Sequence, residues 1–117
     1  MTALPSLIVD ELKPEVFFPW FQSERPDVVI THWIGAPAQM IAAGADIPRT
    51  HGYICLNIQP APPHFSGFFL QPKMLGARAT ELLIAQLMHD ERGSPSLPTS
   101  TLVTSCWIEG TTVKARL

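Results

Sequence analysis

The histidines and cysteines are the side chains with which this sequence could bind a metal ion or form a catalytic nucleophile. His51 and Cys55 stand four residues apart, but across a junction between a turn and a predicted strand rather than on one helix face. His32, His64 and His89 are not spaced from that pair like the ligands of a zinc site. We therefore predict no metal ion, no cofactor and no catalytic residues.

The sequence motifs of common catalytic sites are also absent. Neither GxxxxGK[ST] nor GxGxxG occurs, so phosphate-binding loops of these types are not predicted, and no GxSxG marks a serine nucleophile. No third group marks His51 and Cys55 as a nucleophile and its base. A protein that is not an enzyme is the favoured interpretation, and a small α/β hydrolase or transferase using this pair remains an alternative.

Polar and aromatic side chains follow two apolar runs that are typical of buried parallel strands. Thr31, His32 and Trp33 come directly after the run at 28–30, and Asn57 closes the run "YICLN". Open parallel sheets bind ligands beyond the carboxyl ends of their strands. There Trp33 could stack on the apolar face of a sugar while the polar groups bond its hydroxyls. The alternatives are packing of Trp33 on a neighbouring helix and local turn bonding by Asn57.

Alternating strands and helices around these runs predict an α/β fold with a mostly parallel sheet and flanking helices. Pro19 is expected to shorten the first helix or to mark its start, and Pro26 to close it. The predicted elements are a strand at 7–9, a helix through Val16 and Phe21, a strand at 28–30, a helix at 35–44 capped by Gly44, a strand at 53–58, a loop at 59–67, a possible strand at 68–71, a helix from Pro72 to its stop at Gly93, and a strand at 101–110.

The helix after Pro72 is apolar over more than one face. A stripe typical of a core-facing helix is formed by Leu75, Ala79, Leu82, Leu83 and Leu87. Further apolar residues widen the surface beyond this stripe, so the helix needs cover on two sides. Such a surface favours association when it is left in water, and we expect a homo-oligomer, with exchange of this helix between copies as one route.

Composition limits the classes of partner. Charged residues make up 15% of the sequence and the net charge is -2, so no basic surface for nucleic acid is predicted in this chain. Neither a secretory leader nor an apolar run long enough for a membrane span is recognised, which predicts a cytoplasmic protein that does not bind membranes. Cys55 and Cys106 both lie in apolar runs and are expected to be buried free thiols.

The order of these segments resembles the C-terminal part of the sensor domain of LacI-type (lactose-repressor family) transcriptional regulators. In that family a strand reading "PD-apolar" ends in a polar pair, and a helix, a "G...IP...G" turn and a strand ending in Asp follow. A "Q...(I/M/L)G..A...LL..L" helix and a closing "G.W..G"-like strand come next. The corresponding segments are "FQSERPDVVITHWIGAPAQMIAAGADIPRTHGYICLNIQ", "FSGFFLQPKMLGARATELLIAQLMHDERGSP" and "TLVTSCWIEG", within residues 7 to 112.

The resemblance implies one lobe of a periplasmic-binding-protein-like fold and a ligand at its rim. The implied ligand-binding residues are Thr31, His32, Trp33 and Asn57, with Gln71 near a crossover between lobes. Thr31 and His32 occupy the positions of the family's usual polar pair, and Asn57 occupies the position of its Asp. The position of the site is therefore carried over rather than its ligand, and a sugar-like small-molecule effector is expected.

The resemblance also implies a single partial sensor domain over residues 1–117. It would contain a second lobe at about 7–70, a helix of first-lobe type at about 72–90 and a closing strand segment at about 100–112. Operator DNA would be read by an N-terminal helix-turn-helix head that this sequence does not include. The alternatives are a fragment of a periplasmic-type sugar-binding protein, the small α/β enzyme, and a truncated product that assembles with full-length relatives.

Overall fold

The computed structural model describes residues 2–115, and within that range the chain forms three helices and four strands. The chain is divided into two compact units, of which Leu70–Cys106 is the second. The elements are α1 (Pro14–Glu24), β1 (Val28–Thr31), α2 (Ala36–Ala42), β2 (Gly52–Cys55), β3 (Ser66–Phe69), α3 (Pro72–Met88) and β4 (Cys106–Ile108).

The strands form one sheet in the order β1-β2-β3-β4, and β2 pairs in parallel with both β1 and β3. This confirms the predicted α/β class with a mostly parallel sheet. One face of the sheet is buried, because Val29 and Tyr53 are register partners that both point into the core. The buried apolar residues are Phe17, Phe21, Val29, Ala36, Met40, Ala45, Tyr53, Cys55 and Ile58.

Helix α1 continues through its internal proline, so the expectation that Pro19 would shorten or start the helix was wrong. Pro19 is exposed, whereas Phe17 and Phe21 are buried one turn apart with their rings stacked at 5.3 Å. Packing of this pair on the core offsets the hydrogen bond that the proline removes. The helix ends as predicted before Pro26, with Arg25 in the left-handed conformation at φ 47°.

The predicted opening strand at 7–9 was wrong, because these residues form no strand and Ile8 is 90% exposed. Whether such a run forms a strand depends on a pairing partner, and β2 pairs with β1 and β3. Two further strands are shorter than predicted: β2 ends at Cys55, and β4 covers only part of the run at 101–110. Both runs continue as irregular backbone.

Two glycines, Gly44 and Gly93, were predicted to end helices, and only the first of them does. Gly44 follows α2 with φ 99°, as its C-cap role requires. Gly93 does not stop α3, which was a wrong prediction. The stop is Asp90, which adopts φ 52°, and the N–H of Glu91 donates to the Gln86 carbonyl at 2.9 Å. This hydrogen bond closes the last turn before the glycine is reached.

Helix α3 contains no buried residue. Leu75, Leu82, Leu83 and Leu87 are all exposed. The periodicity predicted the helix correctly, but periodicity cannot show whether a covering element exists. Among the described residues, no helix is long and apolar enough to cross a membrane.

The segment after β4 is hydrogen-bonded to the two central strands, β2 and β3. The N–H of Tyr53 donates to the Thr112 carbonyl at 2.8 Å. The Thr112 hydroxyl donates to the Tyr53 carbonyl at 2.7 Å and accepts the N–H of Ser66 at 2.9 Å. Because Tyr53 belongs to β2 and Ser66 begins β3, this one buried threonine joins the two strands.

Candidate functional site

The carboxyl ends of β1 and β2 form the edge at which the predicted ligand residues lie. The N–H of Leu56, just after β2, donates to the carbonyl of Thr31, the last residue of β1, at 3.0 Å. His32 and Trp33 leave β1 at this point, and Asn57 leaves β2. The structure therefore brings four predicted residues, Thr31, His32, Trp33 and Asn57, to one edge of the sheet.

Hydrogen bonds fix the backbone of Trp33 on both sides. Its N–H donates to the hydroxyl oxygen of Thr31 at 3.2 Å, and its carbonyl accepts the Tyr53 hydroxyl at 2.9 Å. Thr31 therefore acts first as a local support for the loop, with its own hydroxyl proton still free for another acceptor. The result is a short aromatic loop with a defined backbone.

The rings of His32 and Trp33 lie against each other, with centroids 5.3 Å apart and planes inclined by 32°. Trp33 is half-buried and packs on the core, while His32 is exposed. Trp33 thus has both a packed part and an exposed part. The surface that faces water combines an imidazole with the remaining exposed part of the indole.

Asn57 and Gln71 differ in their surroundings. Asn57 is exposed two residues beyond the end of β2, rather than inside a strand that runs to residue 58. Gln71 belongs to the second compact unit, where it precedes α3 with φ 52° and its Nε2 donates to the Thr104 carbonyl at 2.6 Å. In that unit Gln71 shapes the start of the helix.

Tyr53 supports the candidate site from the core, and reasoning from sequence did not identify it. Its ring is fully buried and meets Phe65 edge to face at 5.2 Å. Burial, and then the neighbouring Cys55 thiol, raise the pKa of Tyr53 above its ordinary value, so its hydroxyl remains a donor to Trp33. A tyrosine inside an apolar strand run was an available signal, since a buried phenol needs a hydrogen-bond partner.

Two open clefts lie near the opposite, amino edge of the sheet, around His51. One has a volume of about 180 Å³ and is lined in part by Asp27, Arg49 and Lys114. The other, of about 510 Å³, is lined in part by Phe21 and Arg25. Neither is lined by the predicted ligand residues.

The geometry does not make His51 and Cys55 a catalytic pair. His51 directly precedes β2 and Cys55 is its last residue, so four strand steps of about 3.3 Å each separate them. The His51 ring packs on Phe21 at 5.1 Å, and its Nδ1 lies 2.8 Å from the Thr50 hydroxyl. The contacts of the His51 side chain are therefore with Phe21 and Thr50, and not with Cys55.

Both cysteines are free, but only Cys55 is buried. The expectation that Cys106 is also buried was wrong, because it begins the short strand β4 with its side chain exposed. Within residues 2–115, no group of three or more His, Cys, Asp and Glu side chains could hold a metal ion.

Comparison with protein-family models, with curated proteins and with solved structures gave no match to this chain. The arrangement at the carboxyl edge is therefore the basis on which a function can be argued.

Proposed function

We propose that this chain is the effector-sensing part of a LacI-type transcriptional regulator and forms one wall of a site for a sugar-like small molecule. The observation that carries the proposal is the meeting of Thr31, His32, Trp33 and Asn57 where two neighbouring parallel strands end. Ligands of open α/β sheets bind at this edge. The resemblance of the sequence to LacI-type sensor domains supports the same position.

The side chains at this edge suit the two kinds of surface that a sugar presents. The exposed parts of His32 and Trp33 offer an aromatic surface to the C–H groups of a sugar ring. The Asn57 amide can donate and accept hydrogen bonds, and the Thr31 hydroxyl can donate one, which matches alcohol groups. No step of bond making or breaking is assigned to these residues.

In the intact regulator, the second wall of the site would come from a facing lobe. An effector that binds both lobes would favour the closed arrangement, and the DNA-binding heads would respond to that change in population. This chain carries a net charge of -2, so contact with operator DNA is assigned to a basic N-terminal head outside it. The chain is proposed to sense the effector and not to bind DNA.

Calorimetric titration of the chain with a panel of pentoses and hexoses at millimolar concentrations tests the ligand. One sugar class should bind, and Asn57→Ala should weaken that binding about tenfold, the effect of losing one hydrogen bond of ~1.4 kcal/mol. Gln59→Ala is the matched control, because Gln59 is another exposed amide in the same loop and should leave binding unchanged. Absence of binding across the panel, or equal effects of both variants, would contradict the proposed site.

The regulatory part of the proposal has its own test. The reading frame upstream of the Met1 codon should encode a first lobe and a helix-turn-helix head. A stop codon directly upstream in the native DNA would count against a regulator and leave the ligand site to be judged by the titration alone.

A further inference from the structure

The second face of the sheet, opposite the core, carries apolar side chains that are exposed or half-buried. We call it the outer face. Ile30 and Ile54 are register partners on this side, and the rings of Phe68 and Trp107 meet edge to face at 5.3 Å. Ile30 is 57% exposed. The residues of the outer face are Val28, Ile30, Ile54, Phe68 and Trp107, which span all four strands.

Helix α3 presents a second uncovered apolar surface. We call it the leucine stripe, formed by Leu75, Ala79, Leu82, Leu83 and Leu87. At 100° per residue these positions fall within about 140° of the helix circumference. Leu83, near its centre, is 56% exposed. The first compact unit thus exposes an apolar sheet face, and the second exposes an apolar helix stripe.

We propose that the chain forms a reciprocal dimer in which the leucine stripe of each copy packs on the outer face of the other. Mostly parallel sheets in α/β proteins carry helices on both faces, because side chains on both faces need cover. Helices α1 and α2 cover the core face only. The element that fits the outer face is thus a helix with an unpartnered apolar stripe, and a second copy supplies one.

The size of the contact favours reciprocity. A helix of 17 residues is about 25 Å long, and a contact about 10 Å wide covers ~250 Å² on each partner. A single contact of this area is of the size of a crystal contact. Two such contacts bury ~500 Å² per partner, which is near the lower limit for specific dimers. The reciprocal arrangement is therefore the one that reaches a stable size.

The charges agree with this docking. Arg78 pairs with Glu81 at 2.7 Å outside the leucine stripe, so neither charge enters the contact. Lys73 flanks the stripe on the other side. At the margin of the outer face, Glu109 accepts the Trp107 indole N–H at 2.9 Å. The Glu109 carboxylate at the rim of the sheet surface and the Lys73 ammonium at the rim of the helix surface favour the pairing.

Sedimentation equilibrium of the full chain over a range of concentrations tests the dimer. Leu83→Glu on α3 and Ile30→Glu on the sheet should each raise the dimer Kd about 100-fold or more, because each removes an apolar side chain from both contacts. The matched controls are Ile84→Glu and Ile41→Glu, at positions 51% and 59% exposed outside the two surfaces, which should leave the Kd unchanged. Far-ultraviolet circular dichroism checks that all four variants fold.

A mixture of the two disruptive variants separates this arrangement from other dimers. Leu83→Glu keeps an intact outer face and Ile30→Glu keeps an intact stripe, so their heterodimer retains one of the two contacts. The mixture should associate more tightly than either variant alone. A wild-type monomer at all concentrations would overturn the proposal, and so would sensitivity to only one variant, since helix–helix pairing responds to Leu83→Glu alone and sheet–sheet pairing to Ile30→Glu alone. The inference does not depend on the proposed ligand.

Discussion

Tyr53 connects the core to the proposed ligand surface through one hydrogen bond. It is the only tyrosine in the sequence, and its hydroxyl is fully surrounded while it donates to the Trp33 carbonyl. The phenol thereby fixes the loop that carries His32 and Trp33 from beneath. The loop of His32 and Trp33, proposed to contact a ligand, thus follows β1, whereas the residue that supports it belongs to β2.

Replacement of Tyr53 by Phe should destabilise the fold at neutral pH by about 1–2 kcal/mol, because the Trp33 carbonyl loses its partner in a partly buried place. Urea unfolding followed by circular dichroism measures the change. Exchange of the Trp33 loop amides with deuterium should also become faster in this variant. Unchanged stability together with unchanged exchange would show that the hydrogen bond has no positioning role.

The pH dependence of the same variant gives a second readout. The pKa of Tyr53 is raised in the folded state, so the stability it contributes is fully present below the unfolded value of about 10 and is lost as pH rises above it. The wild-type chain should lose more stability above about pH 10 than Tyr53→Phe does. Because no second tyrosine exists, ultraviolet titration of tyrosinate reports this one group directly.

At the scale of elements, signals that act within a few residues predicted the structure well. β1, α2 and α3 were predicted near their observed positions, because apolar runs, Pro72 at a helix start and Gly44 at a helix end are local signals. The strand at 7–9 failed because pairing depends on a distant partner. The continuation of α1 through Pro19 also depends on packing that a proline rule does not include.

The candidate site was predictable in part for the same reason. Parallel strands end at a common edge, so residues that follow Val28–Thr31 and Gly52–Cys55 had to lie near one another. The bond from Tyr53 to Trp33 spans 20 residues, and the bonds of Thr112 span 59 and 46 residues. No spacing in the sequence encodes those partners. The exposure of the outer face could not be predicted from sequence either, because it depends on which elements pack nearby.

Replacement of Thr112 should destabilise the sheet, because this residue is hydrogen-bonded to both β2 and β3. Thr112→Val keeps the shape but leaves the Ser66 N–H and the Tyr53 carbonyl without their buried partner. We expect a loss of about 2–3 kcal/mol in the free energy of unfolding, measured by urea denaturation. Thr111→Val is the matched control, since the Thr111 hydroxyl is exposed and bonds the His64 carbonyl at 3.3 Å. A similar loss in both variants would show that the buried hydrogen bonds of Thr112 are not its cause.

At the scale of the whole molecule, association between copies would account both for the low charge content and for the burial of only one face of the sheet. Only 15% of the residues are charged, and the two surfaces left apolar are the outer face and the leucine stripe. Neither is explained by a ligand at the carboxyl edge, which lies on the loops after β1 and β2. Sensing and assembly are thus assigned to different surfaces, and substitutions at one should leave the other unaffected.

The stability of α3 should therefore depend on protein concentration. An isolated helix of this length is marginal in water, and Gly76 in its interior lowers its helix propensity by about 1 kcal/mol. In dilute solution the α3 amides should exchange rapidly with deuterium, while the amide of Tyr53 in β2 stays protected. At dimer-forming concentrations α3 should become protected.

Mass spectrometry of exchanged peptides at several concentrations measures this protection. Leu83→Glu should remove its concentration-dependent part, and Ile84→Glu should retain it, because only Leu83 lies in the leucine stripe. Strong α3 protection that is independent of concentration would mean that the helix is covered within a single chain. That result would reject a second copy as the partner of the stripe, even if the chain associates through some other surface.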